Sequence, residues 1–395
     1  MKKHQLNLGN LGLDRGGHLL IKRALKQLSV NEELFVHGNC SALKIHLRAW
    51  CRSQGHRFEE EHSKVIVGTA QTGRWRDAQR AGQADPKQNN AIADKAPLDW
   101  GLAARGAMVE QGTPNFDFTL TDKNIVWAEE AARLYKQAAS AQWDPESRID
   151  WSAPIEHPPE IEDAVVQVMT YLIENETVAL LVPARFLAKI HPHFREVMQL
   201  LAIQAADEAR HIEVFTRRAL LQRSELGLST AGGQESLKTL LDEPDFALAS
   251  FLLSVLGENS FLSLLWFLRD HAPDPVTRQV ASLSAADEAR HVAFGMAHLA
   301  RHASLEPDLV GRLKQAIERR HSDLAETAGL NEEVFDALVL LAAGSWAPEA
   351  IEAGWNKVLQ LKQDMARGRI KRMIKLKFGD KQAAELATLH TRNFM

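Results

Sequence analysis

The sequence predicts a mainly α protein: a helical bundle with extra helices, preceded by a small α/β domain. Three observations carry this. The stretch 1–70 alternates short β-like runs with helical ones. From about Asp117 the texture is almost entirely helical, with Pro and Gly as punctuation. Within that part, "QAADEARHIEVF" from Gln204 returns as "SAADEARHVAFG" from Ser284, so the helical region contains a duplication.

In order, "LNLGNLGLD" alternates leucine with smaller residues, "LLIKRALKQL" has helical spacing and "ELFVHG" is a short strand. "SALKIHLRAWCRSQGH" is an amphipathic helix ending at Gly55, and "HRFEEEHSKVIVGTA" reads as two strands around a polar turn. The expected order over 1–70 is β-α-β-α-β-β. Residues 71–116 include the polar, aperiodic "AQRAGQADPKQNNAIADKAP" and are expected to be a linker. Residues 117–305 should hold the bundle and 306–395 a C-terminal helical extension. Helices are expected over Asp122–Gln142, from Pro159 to Pro183 or beyond, from His193 to about Leu226, over Asp245–Asp270, and from Pro273 to about Ala303. Breaks fall at "WDPESRIDWSAP", "LGLSTAGGQ" and "HAPDP".

Composition sets bounds. Charged residues are 25% of the 395 and the net charge is −4, so nothing global points to nucleic acid or a membrane as partner. No apolar run is expected to reach the roughly 20 residues that span a bilayer. The start "MKKHQLNLGN" has no apolar stretch behind its charges, so no signal peptide is expected. Cys40 and Cys51 are the only cysteines, which excludes a disulfide framework and suits a reducing cytoplasm.

The duplication is larger than its five-letter core. Upstream of each copy stands a Glu-Asn pair, in "YLIENETVALL" and in "VLGENSFLSLL". Glu174 precedes Glu208 much as Glu258 precedes Glu288, and the first interval is longer only by about one helical turn, which a connecting loop absorbs. The repeat is therefore a helix pair, one Glu on the first helix and Glu-x-x-His on the second, used twice. Residues i and i+3 share a helix face, so Glu208 with His211, and Glu288 with His291, can each offer one metal ion an oxygen and a nitrogen. A Glu from each of the other helices, Glu174 and Glu258, completes a dinuclear carboxylate site in a four-helix bundle. Four carboxylates neutralise two divalent cations, and imidazole with carboxylate suits iron or manganese. Solvated surface charge is the competing explanation. It fails to account for two matched copies set amid "VVQVMTYLI", "MQLLAIQAA" and "FALASFLLSVL", where bare carboxylates are strongly disfavoured. Glu176 is an alternative to Glu174. The two are about 200° apart on the helix, so only one can face the site, and the Glu-Asn repeat selects Glu174.

This pattern resembles the ferritin-like di-iron carboxylate superfamily over roughly 120–305, and its D-E-x-R-H form is similar to that of bacterial multicomponent monooxygenase hydroxylases. The resemblance implies Glu174, Glu208, His211, Glu258, Glu288 and His291 as ligands. Asp207 and Asp287 would accept from the imidazole N–H groups, and Arg210 and Arg290 would pair with those aspartates. It implies two iron ions (or iron with manganese), dioxygen as co-substrate, a small organic substrate and a separate electron-donor protein, with a homodimer as an expected assembly. The accessories of three specialist groups are missing. Phe215 stands where reductase small subunits carry a radical tyrosine, Ser284 and Gln204 where arylamine N-oxygenases add a histidine, and Leu262 where the hydroxylases place a threonine. Of the two tyrosines, Tyr135 and Tyr171, Tyr171 lies about one turn before Glu174, within approach of the metals, though as a core residue it needs no such role. The expectation is an oxygen-dependent di-iron oxidase or oxygenase. The alternative is a ferritin- or rubrerythrin-like protein for iron handling or peroxide disposal, less suited to a chain with this much additional helix.

"RALKQLSVNEEL" and "AWCRSQGH" resemble the TusA-like sulfur-carrier family over about 7–70. That family carries a Cys-Pro-x-Pro motif at the start of its first helix. Here Gly16-Gly17-His18-Leu19 stands there, so a docking or recognition module is expected instead of a persulfide carrier. Cys51, mid-helix beside Trp50, reads as a buried structural thiol. Lastly, "ARGRIKRMIKLKFGDK" from Ala366 to Lys381 interleaves cations with apolar residues. A solvated basic helix face is expected, an anionic partner being the sharper alternative.

Overall fold

The computed structural model describes residues 4–69, 75–325 and 332–389 and divides into two compact units. One comprises 1–93 with 97–116, the other 94–96 with 117–395.

The first unit opens with β1 (His4–Asn7), α1 (Gly17–Leu25), β2 (Glu33–His37), α2 (Leu43–Gln54), β3 (Arg57–Glu59) and β4 (Lys64–Ile66), a β-α-β-α-β-β order. The sheet runs β1-β2-β4-β3. β1 lies parallel to β2 because α1 crosses over between them, and the remaining pairs are antiparallel. Alternation along β2 turns Leu34 and Val36 inward onto Ile21, Leu47 and Val65. Cys51 belongs to this core, and burial pushes its thiol up to about 12. At the start of α1, Gly16 has φ 99°. A Cβ on Gly17 would stand 2.9 Å from the Gly12 carbonyl oxygen, so this helix start is built for glycine. His18 donates from Nδ1 to the Leu13 carbonyl at 3.0 Å.

The stretch 71–116, expected to be a linker, is folded over its described part. β5 (Gln79–Arg80) pairs antiparallel with β6 (Met108–Val109), and Ala81, Trp100 and Val109 form a small apolar cluster. Buried apolar residues so widely scattered along the chain leave no periodicity to read.

The second unit is a bundle of long helices with extra helices around it. Its long helices are α6 (Pro159–Leu187), α7 (Arg195–Ala219), the run α9 (Phe246–Ser250) to α10 (Asn259–His271), and α11 (Pro275–Leu305). Short α3 (Lys123–Val126), α4 (Ala131–Ser140), α5 (Pro145–Arg148) and α8 (Ala231–Leu241) connect or flank them, and α12 (Leu309–Ala325), α13 (Glu332–Ala343), α14 (Pro348–Lys375) and α15 (Asp380–Thr388) follow. The helix expected over Asp122–Gln142 is split. Trp127 adopts an extended backbone and, with Ala128, is buried, its ring 6.5 Å from that of Phe194. Helix starts follow their capping chemistry. Asp245 accepts from the amides of Ala247 and Leu248, and Asp274 accepts from that of Thr277 just ahead of Pro275.

Two stretches correct the expectation of no membrane-length apolar run. α6 and Phe246–His271 are long and apolar enough to cross a bilayer, with mean hydropathy 1.3 and 1.6. In this bundle 67% and 83% of those apolar windows are buried against other helices. Core helices of a large bundle are apolar around most of their circumference.

One end of the bundle is tied by a buried ion cluster. Arg218 on α7 makes a bidentate pair with Glu162 on α6 (2.7 and 2.9 Å) and reaches Asp274 at the start of α11 (2.7 Å), with Thr277 Oγ1 accepting from its Nε. Removing one partner of such a cluster strands the others. Arg218→Met should therefore destabilise the protein by about 3–5 kcal/mol, measured as a lowered midpoint in chemical denaturation. Burial raises the Asp274 carboxyl, but the Arg218 charge and hydrogen bonds outweigh this and hold it below its ordinary value. Its contribution is thus present above the unfolded value of about 3.9 and disappears as pH falls through the folded one. The wild-type advantage over Arg218→Met should shrink in that acid window.

Candidate metal centre

The two Glu-x-x-His segments lie on α7 and α11, and the pitch of the helix puts Glu208 with His211, and Glu288 with His291, on inward faces. The fourth wall is unusual. Phe251–Glu258, between α9 and α10, is a π-helix, and Glu258 is its last residue. The i→i+5 turn is wider than an α turn, and such segments recur at functional sites. α11 meets it closely: a Cβ on Gly295 would lie 2.4 Å from Ser254 Cβ, so glycine is required at that approach.

Two overlapping quartets result. Glu176, Glu208, His211 and Glu288 form one, Glu208, Glu258, Glu288 and His291 the other. Within each, the ligand atoms lie within 4.8 Å of one another. Glu208 and Glu288 belong to both, as carboxylates bridging two ions would. All six side chains are buried, Glu208 and His211 completely.

The upstream carboxylate on α6 corrects the choice made from the repeat. Glu176, 1% exposed, points into the cluster with Oε2 3.6 Å from His211 Nδ1. Glu174 is half-buried on another face of α6 and is in neither quartet. The Glu-Asn alignment is misled by Asn175, whose side chain turns back to donate to the Tyr171 carbonyl at 2.7 Å. Spacing is the better signal: the interval from Glu176 to Glu208 matches that from Glu258 to Glu288 more closely than the interval from Glu174 does.

The outer contacts cross between the repeats. His211 Nε2 lies 3.2 Å from Asp287 Oδ2, and His291 Nε2 lies 3.3 Å from Asp207 Oδ2, so each imidazole is held by the aspartate of the other copy. Nδ1 of each ring is left facing the carboxylates. Arg210 donates to Asp207 (2.5 Å) and Asp287 (2.9 Å), and Arg290 donates to Asp287 and lies 3.6 Å from Asp207. Both arginines are therefore largely buried structural partners, not solvated ones. Three residues missed from the sequence complete this layer. Gln142 donates to Asp207 (2.7 Å), Trp143 Nε1 donates to Asp287 (2.8 Å) under the Arg210 guanidinium, and Gln204 donates to Glu258 (2.8 Å). Gln142 and Trp143 sit between helices, far along the chain from their partners, where no local pattern points to them. Tyr171 is buried against Phe261, and its hydroxyl has no hydrogen-bond partner among the described residues.

The electrostatics describe a site that calls for cations. Burial, then repulsion from Glu288 and Glu208, pushes Glu258 up to about 8; burial, then Glu208 and Glu288, raises Glu176 well above the carboxylate range. Burial also raises Glu208, but the His291 charge and hydrogen bonds from both imidazoles outweigh it and hold that carboxyl well below. Burial would lower both histidines, yet the surrounding carboxylates hold them well above the ordinary imidazole value. Glu176 Oε1, Glu258 Oε2 and both oxygens of Glu288 are buried without a hydrogen bond among the described residues. Oxygens left bare in a dry interior, beside two imidazole nitrogens, fit a pair of divalent metal ions.

No family model and no curated protein matches the sequence. Among solved structures, the chain is similar to an R2-like ligand-binding oxidase variant with anaerobically reconstituted Mn/Fe cofactor. The TM-score is 0.46 and the identity 17%, over 64% of this chain and 94% of that one. It is also similar to an R2-like ligand-binding oxidase with aerobically reconstituted metal cofactor after photoconversion. There the TM-score is 0.42 and the identity 17%, over 68% and 96%. Likenesses this distant leave the chemistry of this chain to its own residues.

Glu176→Ala should lower bound metal by at least one of about two ions per chain, whereas Glu174→Ala should leave metal content at the wild-type level. Metal analysis of both purified variants checks the assignment, and the opposite pattern would return the ligand role to Glu174.

Proposed function

We propose that this chain is an oxygen-dependent oxidoreductase, an oxidase or oxygenase of a small organic molecule, built on a dinuclear iron or manganese–iron centre. The observation that carries the reading is the pair of overlapping quartets, Glu176, Glu208, His211, Glu258, Glu288 and His291, buried together in the bundle. A narrow cavity of about 10 Å³ abuts them. Glu176, Glu258 and Glu288 line it together with apolar Ala179, Leu240, Leu253 and Phe261.

Such an ion pair, when bound, supplies redox equivalents for activating dioxygen. The chain's own residues do the rest. Glu208 and Glu288, shared by both quartets, would help hold both ions. Asp287 and Asp207 keep the outer N–H of His211 and His291 engaged, so that Nδ1 of each ring stays available as a donor atom. Gln204 restrains one oxygen of Glu258, leaving the other able to change partners. The apolar wall orients a small substrate and excludes water from the carboxylates. Reducing equivalents are proposed to come from a separate donor protein. The first unit is proposed as a docking module, a reading supported by the exposed apolar side chains of Leu19 and Ile45 on its two helices.

The test is single-turnover oxygen exposure of iron-loaded protein with candidate amines, thiols and aromatics. Stoichiometric oxidation of one of them, with about two metal ions retained per chain, is the expected result. Accumulation of many ferric ions per chain without organic product would instead establish iron handling. Ala179→Leu, which fills the apolar wall, should slow substrate oxidation by roughly tenfold or more at unchanged metal content. A rate unaltered by that change would place the substrate elsewhere.

A further inference from the structure

The two ends of α14 present different surfaces. At its C-terminal end the basic run does not lie wholly on a solvated face: Lys371 and Lys375 are exposed, but Arg369 is buried and Arg372 half-buried. Its N-terminal end borders an open groove of about 460 Å³ shared with α6 and α13. Apolar Ala164, Val339, Leu340 and Ile351 line this groove together with two indoles, Trp346 and Trp355.

The tryptophans are exposed, Trp346 to 66% and Trp355 to 47%, yet the backbone that carries them is firmly placed. α14 leaves α13 at an angle of 118°, and the turn between them uses Gly344 at φ 69°. A Cβ on Gly354 would stand 2.4 Å from the Val339 carbonyl oxygen, so the two helices are pressed together beside Trp355. The Trp355 ring also meets that of Phe335 edge-on, 4.9 Å between centroids. Large indole surfaces held on packed helices and left in water have the composition of an interface anchor.

Charge selects what the groove can accept. Among the described residues, every charged side chain lining it is an acid: Glu160 and Asp163 of α6, Glu333 and Asp336 of α13. Asp163 is engaged by Arg223 at 2.6 Å, whereas Glu160, Glu333 and Asp336 make no ion pair among the described residues. Burial, then the charges of Glu332 and Glu333, raises the Asp336 carboxyl above its ordinary value. Nucleic acid and anionic lipid are repelled by such a surface. A second copy meeting this face across a two-fold axis would set the same acids against each other.

We propose that this groove docks a basic amphipathic helix of a partner protein, its apolar stripe against Trp346, Trp355, Val339 and Leu340 and its lysines or arginines against Glu160, Glu333 and Asp336. With both indoles largely in water, the groove would leave a small cation mostly exposed, whereas small-molecule sites bury most of their ligand. The inference does not rest on the proposed oxidase activity, because no residue of either metal-binding quartet lines the groove.

The experiment follows the fluorescence anisotropy of a labelled synthetic helix, about four turns long, added to the full-length, metal-loaded protein at several salt concentrations. The helix carries leucines along one stripe and lysines on its flanks. One comparison peptide replaces the lysines by glutamates, and another has the same composition in scrambled order. The striped cationic peptide should bind saturably and more weakly as salt rises. The glutamate peptide should not bind, and the scrambled one should bind at least about tenfold more weakly. Trp346→Ala should weaken binding by about tenfold or more. Glu333→Gln combined with Asp336→Asn should weaken it and flatten its salt dependence. These three positions are exposed, so helical circular dichroism and metal content should stay at wild-type levels. The proposal is overturned if the striped peptide does not bind, if the scrambled peptide binds as tightly, or if binding survives both Trp346→Ala and the double substitution unchanged. A change of oligomeric state on Trp346→Ala, with no peptide bound by the wild type, would assign the groove to a second copy and equally overturn it.

Discussion

Four carboxylates enclosed in a helical interior set the terms for the rest of the bundle. Glu176, Glu208, Glu258 and Glu288 could not share so small a dry volume as bare anions. The two imidazoles share the negative charge with them, and the wider scaffold serves to keep this group in register. Arg210 and Arg290 balance Asp207 and Asp287, those aspartates hold the histidines, and Gln142 and Trp143 close the layer from outside. At one end of the helices, Arg218 with Glu162 and Asp274 repeats the same solution on a smaller scale, burying two acids only because a bidentate cation meets them.

How much of this could be read from letters depends on the range of each interaction. The i, i+3 relation that pairs Glu208 with His211 and Glu288 with His291 is local, so the motif exposes it directly. The α6 ligand depends on helix phase over many residues. There the adjacent Glu-Asn pair at 174–175 was a more conspicuous feature than the modest difference in spacing that favours Glu176. The π-helix holding Glu258 has no signature in "FLLSVLGE", which reads as any buried helix. Gln142 and Trp143 were invisible because their partners are far away in sequence. The β-α-β-α-β-β order of the first unit was legible because its strands alternate and its second helix ends at glycine. By contrast, the folded stretch around Trp100 offers neither period nor repeat.

The basic segment of α14 shows the same limit from the other side. Interleaved cations and apolar residues describe an amphipathic helix facing water equally well as one whose cations turn inward. Only the packing of α12 and α15 around Arg369 distinguishes them.

The crossed partnership of His211 with Asp287 and His291 with Asp207 has a geometric meaning. Each half of the duplication supplies the inner ligands of one imidazole site and the outer support of the other, an exchange that relates the halves by an approximate dyad. A single helix hairpin of this kind would be incomplete by itself, yet two identical hairpins meeting face to face would supply both ligand sets and the crossed aspartates. The connection between Leu220 and Asp245 is thus a tether between two mutually dependent pieces. Its chief physical effect is to replace a concentration-dependent association with an intramolecular one. Once tethered, the halves are free to diverge, and one matched position bears directly on the centre. Gln204 reaches across to Glu258, while Ser284, its counterpart, is buried with no hydrogen bond to its hydroxyl among the described residues. The two ends of the centre are therefore chemically unequal, despite the near-identity of the motifs that build them.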